Sequence, residues 1–184
     1  ANVEPDQLTS SYVGDVTVTF TTANPIPANG KIVVAFGSGF TFGINGSTAV
    51  VSTINMNGTF LANADNLNRT VTVTRQNDGA QVNAGTAVTI KLSNIRNPQI
   101  SGSTGNYQIK TQNNSADATI DQDLAVAADT ITAGALGGPA NVQPVSLVAG
   151  ASGNVTVSFT TVNPIPADGK VIIGFPSSFG FGAT

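Results

Sequence analysis

Residues 14–36 read GDVTVTFTTANPIPANGKIVVAF, and this stretch decides the fold. Its run VTVTFT, residues 16–21, alternates apolar and polar side chains, which predicts a strand with one face in a core and one in water. The prolines of the NPIP motif, residues 24–27, lack an N–H and cannot pair regularly, so this motif is expected to cross between two sheets. Residues 32–36 are apolar without alternation, which predicts a central strand covered on both faces.

The same stretch recurs as GNVTVSFTTVNPIPADGKVIIGF, residues 153–175. The alignment needs no gap, and Lys31 matches Lys170, so the period is 139 residues (170 − 31). A fixed period of this length is a domain period, since solenoid repeats are far shorter. The sequence therefore predicts tandem repeats of one kind of domain.

The repeat sets the expected domain boundaries. Residues 1–139 are predicted to form one complete domain, which ends in a flexible glycine-rich linker at about residues 134–139. Residues 140–184 are predicted to hold the first three strands of the next domain, which are incomplete on their own.

Alternating runs return along the rest of the period, for example at residues 88–93 and 107–110. Turn signals separate the runs. The Asn29-Gly30 pair is expected to supply positive φ just before a strand, and residues 77–79 are expected to do the same later. Seven or more short strands without helical periodicity are typical of an all-β, immunoglobulin-like Greek-key β-sandwich, with a jelly roll as the alternative.

Two stretches carry a resemblance to a known family. The sequences NPIPANGKIVVAF, residues 24–36, and NIRNPQISGSTGNYQIKTQ, residues 94–112, resemble the tandem Ig-like repeats of very long cell-surface adhesins and extracellular filament proteins of microbes. The resemblance covers essentially the whole period. It implies a rod of similar domains that projects from a cell or forms a fibre, and it brings no active site with it.

Composition excludes several classes of function. The chain has no Cys and no His, which excludes Ser-His-Asp or Cys-His catalysis within it and any thiolate metal site. Its seven basic residues are scattered and its net charge is −3, so nucleic acid is not an expected partner. No apolar run approaches the roughly 18 residues that span a bilayer, so no membrane span is expected in this segment. Residue 1 opens directly into repeat sequence, and any signal or anchor is expected outside the segment.

One candidate cation site is present. Asp121 and Asp123 lie two apart and would share one face of a strand, so with a carbonyl or an Asn they could hold Ca²⁺ at a domain junction. The chain lacks a D-x-[DN]-x-[DN]-G loop, which favours the alternative that the pair lies in a solvated loop. No other metal, cofactor or catalytic site is predicted.

N-linked glycans are an expected covalent partner. Charged residues make up only 9% of the chain, and glycans would supply the solubility that charge normally provides. Among the N-x-[ST] sequons, Asn45 and Asn57 are the preferred glycosylation candidates because they lie in glycine-rich, turn-like stretches. Asn154 corresponds to Asp15 in the first copy, so its sequon is not shared by the two copies. The sequons are Asn45, Asn57, Asn68, Asn113 and Asn154.

These observations predict a structural protein rather than an enzyme. The expected function is a repeat unit of an extracellular filament, whose partners are copies of itself joined by strand complementation or by continuous packing of repeats. The alternative is a spacer or binding module in the stalk of a cell-surface adhesin. A glycan-active enzyme is the third possibility, which would need two carboxylates facing one cleft. Each of these places the protein outside the cell or on its surface.

Overall fold

The computed structural model describes residues 1–182; Ala183 and Thr184, which belong to the predicted incomplete repeat of residues 140–184, lie outside the described residues. The described residues form fourteen β-strands and no helix, so the predicted all-β class is confirmed. The chain divides into two compact units, Ala1–Gly134 and the residues from Ala135 onward. Within residues 1–182 there is no helix that could cross a membrane.

Twelve of the strands belong to the first unit, and they pair with one another in antiparallel fashion. They are β1 (Asn2–Pro5), β2 (Val13–Thr21), β3 (Lys31–Ala35), β4 (Thr41–Phe42), β5 (Val50–Ile54), β6 (Phe60–Asp65), β7 (Thr70–Arg75), β8 (Ala87–Arg96), β9 (Gly102–Ser103), β10 (Tyr107–Gln112), β11 (Thr119–Val126) and β12 (Thr130–Ile131).

Two five-stranded sheets make up most of the first unit. One has the order β1-β2-β8-β4, with β5 also paired to β8, and the other has the order β11-β10-β3-β7-β6. The short strands β9 and β12 form a separate pair. Because β2 and β3 belong to different sheets, the prediction that residues 24–27 cross between two sheets is confirmed.

The two sheets share one hydrophobic core. Val18 and Ile90 enter it from the first sheet, while Ile32 and Val73 enter it from the second, and all four side chains are fully buried. Since burying a Val or Ile side chain contributes roughly 1.5–3 kcal/mol, this shared core holds the sheets together. The predicted β-sandwich is confirmed. Its immunoglobulin-like strand connectivity, with the jelly roll as the alternative, stays a prediction.

Strand β3 differs from its prediction. Ile32 and Val34 are fully buried, whereas Val33 between them is only half-buried. The expectation that both faces are covered is therefore wrong. The first unit has two layers, so even a strand in the middle of a sheet turns one face away from the core.

Gly30 is required for space rather than for backbone freedom. The chain turns at the Asn29-Gly30 pair, where the Gly30 N–H donates to the carbonyl oxygen of Pro27 over 2.9 Å, but neither residue has the positive φ that the sequence predicts. A Cβ at Gly30 would lie 2.9 Å from the Cγ2 atom of Ile26 and 3.2 Å from the carbonyl oxygen of Gln112. Asn77, in contrast, has the positive φ expected of its turn, 62°.

Arg75 ties three loops together. Its side chain is only 2% exposed. Its guanidinium donates hydrogen bonds to the carbonyl oxygens of Ile26 (3.3 Å) and Pro27 (2.6 Å) in the β2–β3 loop, Asn57 (3.3 Å) in the β5–β6 loop, and Ala80 in the β7–β8 loop. Burial lowers the pKa of Arg75. The carbonyl oxygens replace water at the two terminal nitrogens of this cation, while its buried Nε has no hydrogen-bond partner within residues 1–182.

The second unit contains two strands, β13 (Gly137–Pro144) and β14 (Val155–Thr160), which pair in antiparallel fashion and correspond to β1 and β2. β13 begins inside the predicted linker, so residues 137–139 belong to a strand. Residues 170–174, the counterpart of β3, form no strand, although the sequence predicts one. β3 lies between β7 and β10, and residues 140–182 contain no counterpart of either strand.

Candidate functional site

The candidate functional site is a set of apolar side chains in the second unit whose counterparts form the core of the first. We call them the core-equivalent residues. Each stands 139 positions (170 − 31) after a buried core residue, yet none of them is fully buried itself. They are Val142, Val155, Val157, Phe159, Ile165, Val171, Ile173, Phe175, Phe179 and Phe181.

Two matched pairs of residues show how different the two copies are. Ile26 is 0% exposed, whereas its counterpart Ile165 is 47% exposed. Phe40 is 1% exposed, whereas its counterpart Phe179 is 42% exposed. Large exposed apolar surfaces of this kind mark interaction sites, because removing them from water is favourable.

The aromatic part of the set is already assembled. In the first unit the ring of Phe36 packs against those of Phe40 and Phe42, with centroids 5.2 Å apart in both pairs. The three counterpart rings of the second unit pack with centroids 5.3 Å apart in both pairs. In the first unit Tyr107 of β10 completes the cluster, 5.8 Å from Phe36. The aromatic packing of the core is therefore present in residues 135–182, where no counterpart of β10 is described.

The second feature of the site is the free edge of β14. In the first unit β2 pairs with β1 on one side and with β8 on the other, where Val18 lies opposite Ile90. β14 pairs only with β13 within the described residues, so the edge that corresponds to the β8 side has no strand. An unpaired edge offers a row of N–H and C=O groups to another strand.

Lys91 marks a chemical difference between the two copies at this edge. In the first unit the Lys91 Nζ of β8 lies 3.3 Å from the carboxylates of both Asp6 and Asp15. Hydrogen bonds to Asp6 and then to Asp15 raise the pKa of Lys91. In the second unit Val145 and Asn154 replace these two Asp residues. The backbone bond between the two positions is kept, at 2.9 Å in both copies, but both carboxylates are gone.

The two predicted calcium ligands, Asp121 and Asp123, lie two residues apart in strand β11. Asp121 lies in strand β11 rather than in a solvated loop, and its carboxylate accepts hydrogen bonds from the N–H groups of Ala23 (2.9 Å) and Asn24 (3.0 Å) and from the Asn24 amide (2.7 Å). Asp123 lies 3.7 Å from the amino group of Ala1. Residues 1–182 contain no group of three or more His, Cys, Asp or Glu that could hold a metal ion. Asp121 is therefore an anchor for the loop that follows β2.

Acid is expected to release this loop. Burial raises the pKa of Asp121, but the hydrogen bonds from Asn24 and Ala23 outweigh it and lower that pKa overall. The anchor therefore stabilises the fold above about pH 4, the unfolded value, and is lost as the pH falls through the lowered pKa of the folded state. Amide exchange at Ala23 and Asn24, corrected for intrinsic rates, should quicken in acid. Asp121→Ala should quicken it at neutral pH, and Asp123→Ala should not; equal effects of the two variants would contradict the anchor.

The sequons differ in what their asparagine side chains do. The Asn57 amide oxygen accepts a hydrogen bond from the Ala80 N–H, and that of Asn113 accepts bonds from two N–H groups of its own turn. The Asn68 amide donates to Asp65 over 2.7 Å. The side chains of Asn45 and Asn154 are exposed and make no hydrogen bond within the described residues.

Lys91 and Arg75 are the two residues that sequence reasoning missed. For a lysine in an alternating strand such as β8, the ordinary expectation is an outward, solvated side chain. The one signal that could have revealed the role of Lys91 is that Asp6 and Asp15 are replaced by Val145 and Asn154 in the second copy. Arg75 ends the alternating strand β7 on the same face as Val71 and Val73, and this position in the alternation is the signal that could have revealed its burial.

Similarity to known proteins adds no functional assignment. The function is therefore inferred from the chemistry of the described residues. No protein-family model matches the chain, and a search of curated proteins finds no match.

Proposed function

We propose that the chain is a structural repeat unit of an extracellular filament, in which strands from outside the second unit complete its sandwich. The observation that carries the proposal is the exposure of the core-equivalent residues. The second unit repeats the first strands and the aromatic contacts of a closed sandwich, yet its core-equivalent side chains are either exposed or only half-buried. Packing against further strands is what buries these side chains in the first unit, and we propose the same for the second.

The first unit indicates how such a strand would bind. β8 runs antiparallel to β2, and its apolar residues enter the core while its polar residues point outward. A strand bound in the same way along β14 would place an apolar side chain opposite Val157. Main-chain hydrogen bonds would supply affinity, and the apolar side chains would fix the register.

The surface composition supports assembly outside the cell. With charged residues at only 9%, repulsion between copies is weak, and N-linked glycans would keep the assembly soluble. Asn154 immediately precedes β14, where a glycan would compete with an incoming strand. We therefore propose Asn45, which is exposed in a loop of the first unit, as the glycosylated residue.

Electron microscopy of the native assembly tests the proposal. We expect a regular filament in which Phe179 and Phe181 are buried by strands from outside the second unit, with extra density on Asn45. Isolated rods with mobile joints would instead favour the alternative, a spacer in the stalk of a cell-surface adhesin. Native monomers in which both rings remain exposed would contradict the filament and the strand complementation together.

A further inference from the structure

We propose that Asn45 is a site of spontaneous deamidation, at which the chain converts one of its own side-chain amides into a carboxylate. The attacking group is the backbone nitrogen of Gly46. This inference goes beyond the proposed function and does not depend on it, since it concerns copies of the chain in which Asn45 carries no glycan. It is carried by the structural differences between the three Asn-Gly pairs of the chain, which begin at Asn29, Asn45 and Asn57.

The reaction balances with water as its only co-reactant. A bond forms between the Gly46 nitrogen and the Asn45 Cγ atom, the bond from Cγ to the amide nitrogen breaks, and ammonia leaves with the proton that Gly46 gives up. The product is a five-membered succinimide ring. Water then opens the ring at one of its two carbonyl carbons, which yields either Asp or isoaspartate. Glycine hinders this attack least, because it has no Cβ beside the attacking nitrogen.

The loop that contains Asn45 is fixed at both ends and free in the middle. The Gly43 N–H donates to the carbonyl oxygen of Asn94 over 3.0 Å, and the Asn94 amide donates to the carbonyl oxygen of Ser47 over 3.0 Å. Between these points the chain is exposed. Neither the Asn45 side chain nor the Gly46 N–H has a hydrogen-bond partner within residues 1–182. Both reacting groups are therefore free to approach each other.

Asn57 is also followed by glycine, but its side chain is held. Its amide oxygen accepts a hydrogen bond from the Ala80 N–H over 2.8 Å, and its backbone carbonyl oxygen accepts one from the Arg75 guanidinium over 3.3 Å. Gly58 has little room, since a Cβ there would lie 2.9 Å from the Gly79 nitrogen. The bond to Ala80 has to break before the Asn57 side chain can turn toward the nitrogen of Gly58.

In the Asn29-Gly30 pair the attacking nitrogen is the group that is held. The Gly30 N–H donates to the carbonyl oxygen of Pro27 over 2.9 Å, and the Gly30 carbonyl oxygen accepts a hydrogen bond from the Arg75 N–H over 3.0 Å. Gly30 is also buried, whereas Asn29 is exposed. Three pairs of identical sequence are thus divided into one free pair and two restrained pairs.

Deamidation at Asn45 has two chemical consequences. It removes the amide that a glycan would need, so glycosylation of Asn45 has to come before deamidation. It also adds a negative charge to a chain whose net charge is already −3. Because the loop is exposed, neither product requires the core of the first unit to change.

Incubation of the glycan-free 184-residue chain at neutral pH, followed by peptide mapping with fragment mass spectrometry, tests the inference. In the folded chain we expect Asn45 to lose its amide at nearly the rate measured in guanidinium chloride. Asn29 and Asn57 should react at least about tenfold more slowly in the folded chain than in denaturant, which requires only about 1.4 kcal/mol of local stability in their turns. In denaturant the three pairs should react at similar rates.

Two variants separate deamidation from the sequon. Ser47→Ala removes the sequon but keeps the Asn-Gly pair, so position 45 should react at the rate of the unmodified chain. Asn45→Gln should leave position 45 unchanged over the same period, because its longer side chain would have to close a larger ring. Two results would overturn the inference: slowing of Asn45 by about tenfold or more on folding, or loss of the amide at Asn29 or Asn57 as fast as at Asn45 in the folded chain.

Discussion

Replacing Phe40 by alanine is expected to lower the free energy of unfolding of the first unit by about 3–5 kcal/mol, the usual range for a buried phenylalanine. Its ring lies 5.2 Å from that of Phe36 and 5.9 Å from that of Tyr107, so the variant leaves a cavity between the sheets. A loss of this size lowers the Tm by roughly 10 °C or more. Both tyrosines, Tyr12 and Tyr107, belong to the first unit, so tyrosine fluorescence during urea denaturation measures it selectively.

Phe179→Ala is the matched control, because it removes the same ring from the second copy. The ring is already 42% exposed, so the tyrosine-monitored transition should not change. Filament assembly should weaken, since the ring is lost from the face that other strands cover. An equal loss of stability in the two variants would show that the second aromatic cluster contributes to the fold of the first unit, contrary to the assignment.

Arg75→Met is expected to produce the second large effect, a loss of about 3 kcal/mol in the free energy of unfolding. Methionine keeps much of the apolar stem but leaves the carbonyl oxygens of three loops without their donor. Each buried acceptor that loses its partner costs about 1–3 kcal/mol, and water that enters the gap recovers part of this. The same urea denaturation measures the change, and amide exchange in the β5–β6 and β7–β8 loops should rise with it.

Arg69→Met provides the comparison for Arg75. It removes an arginine of the same unit from an exposed position, and a change at such a position is usually worth less than about 0.5 kcal/mol. Arg75→Lys should fall between the two, because a lysine ammonium cannot reach all four carbonyl groups at once. If the methionine variants at both positions lost the same small amount, the three loops would have to be held by other contacts.

The parts of the fold that the sequence predicts well are those set by local pattern. Alternation in residues 16–21 places β2, and the prolines of residues 24–27 place the crossing between sheets, because both effects act within a few residues. The burial of Val33 was not predictable in this way. An apolar residue in a two-layered sandwich fits either face, and only the position of the opposite sheet decides which face is covered.

The parts that escaped prediction depend on distant partners. Residues 170–174 have nearly the sequence of β3 but form no strand, because the neighbours of β3 come from residues 70–75 and 107–112 of its own domain. From the sequence, Asp121 resembles a cation ligand. In the structure its hydrogen-bond donors come from the loop after β2, and one of them, Asn24, lies 97 residues earlier in the chain. The apolar set of the second unit was recognisable from the repeat, since residues 153–175 repeat the core positions of residues 14–36.

The ion pairs of Lys91 have a further consequence for how the protein folds. Adjacent repeats with nearly identical strands are prone to misfold by swapping those strands, a common failure of tandem arrays. Strand β8 meets two carboxylates when it docks in its own domain, and it meets Val145 and Asn154 when it docks in the following one. We therefore expect the two ion pairs of Lys91 to favour docking of β8 in its own domain over docking in the following one.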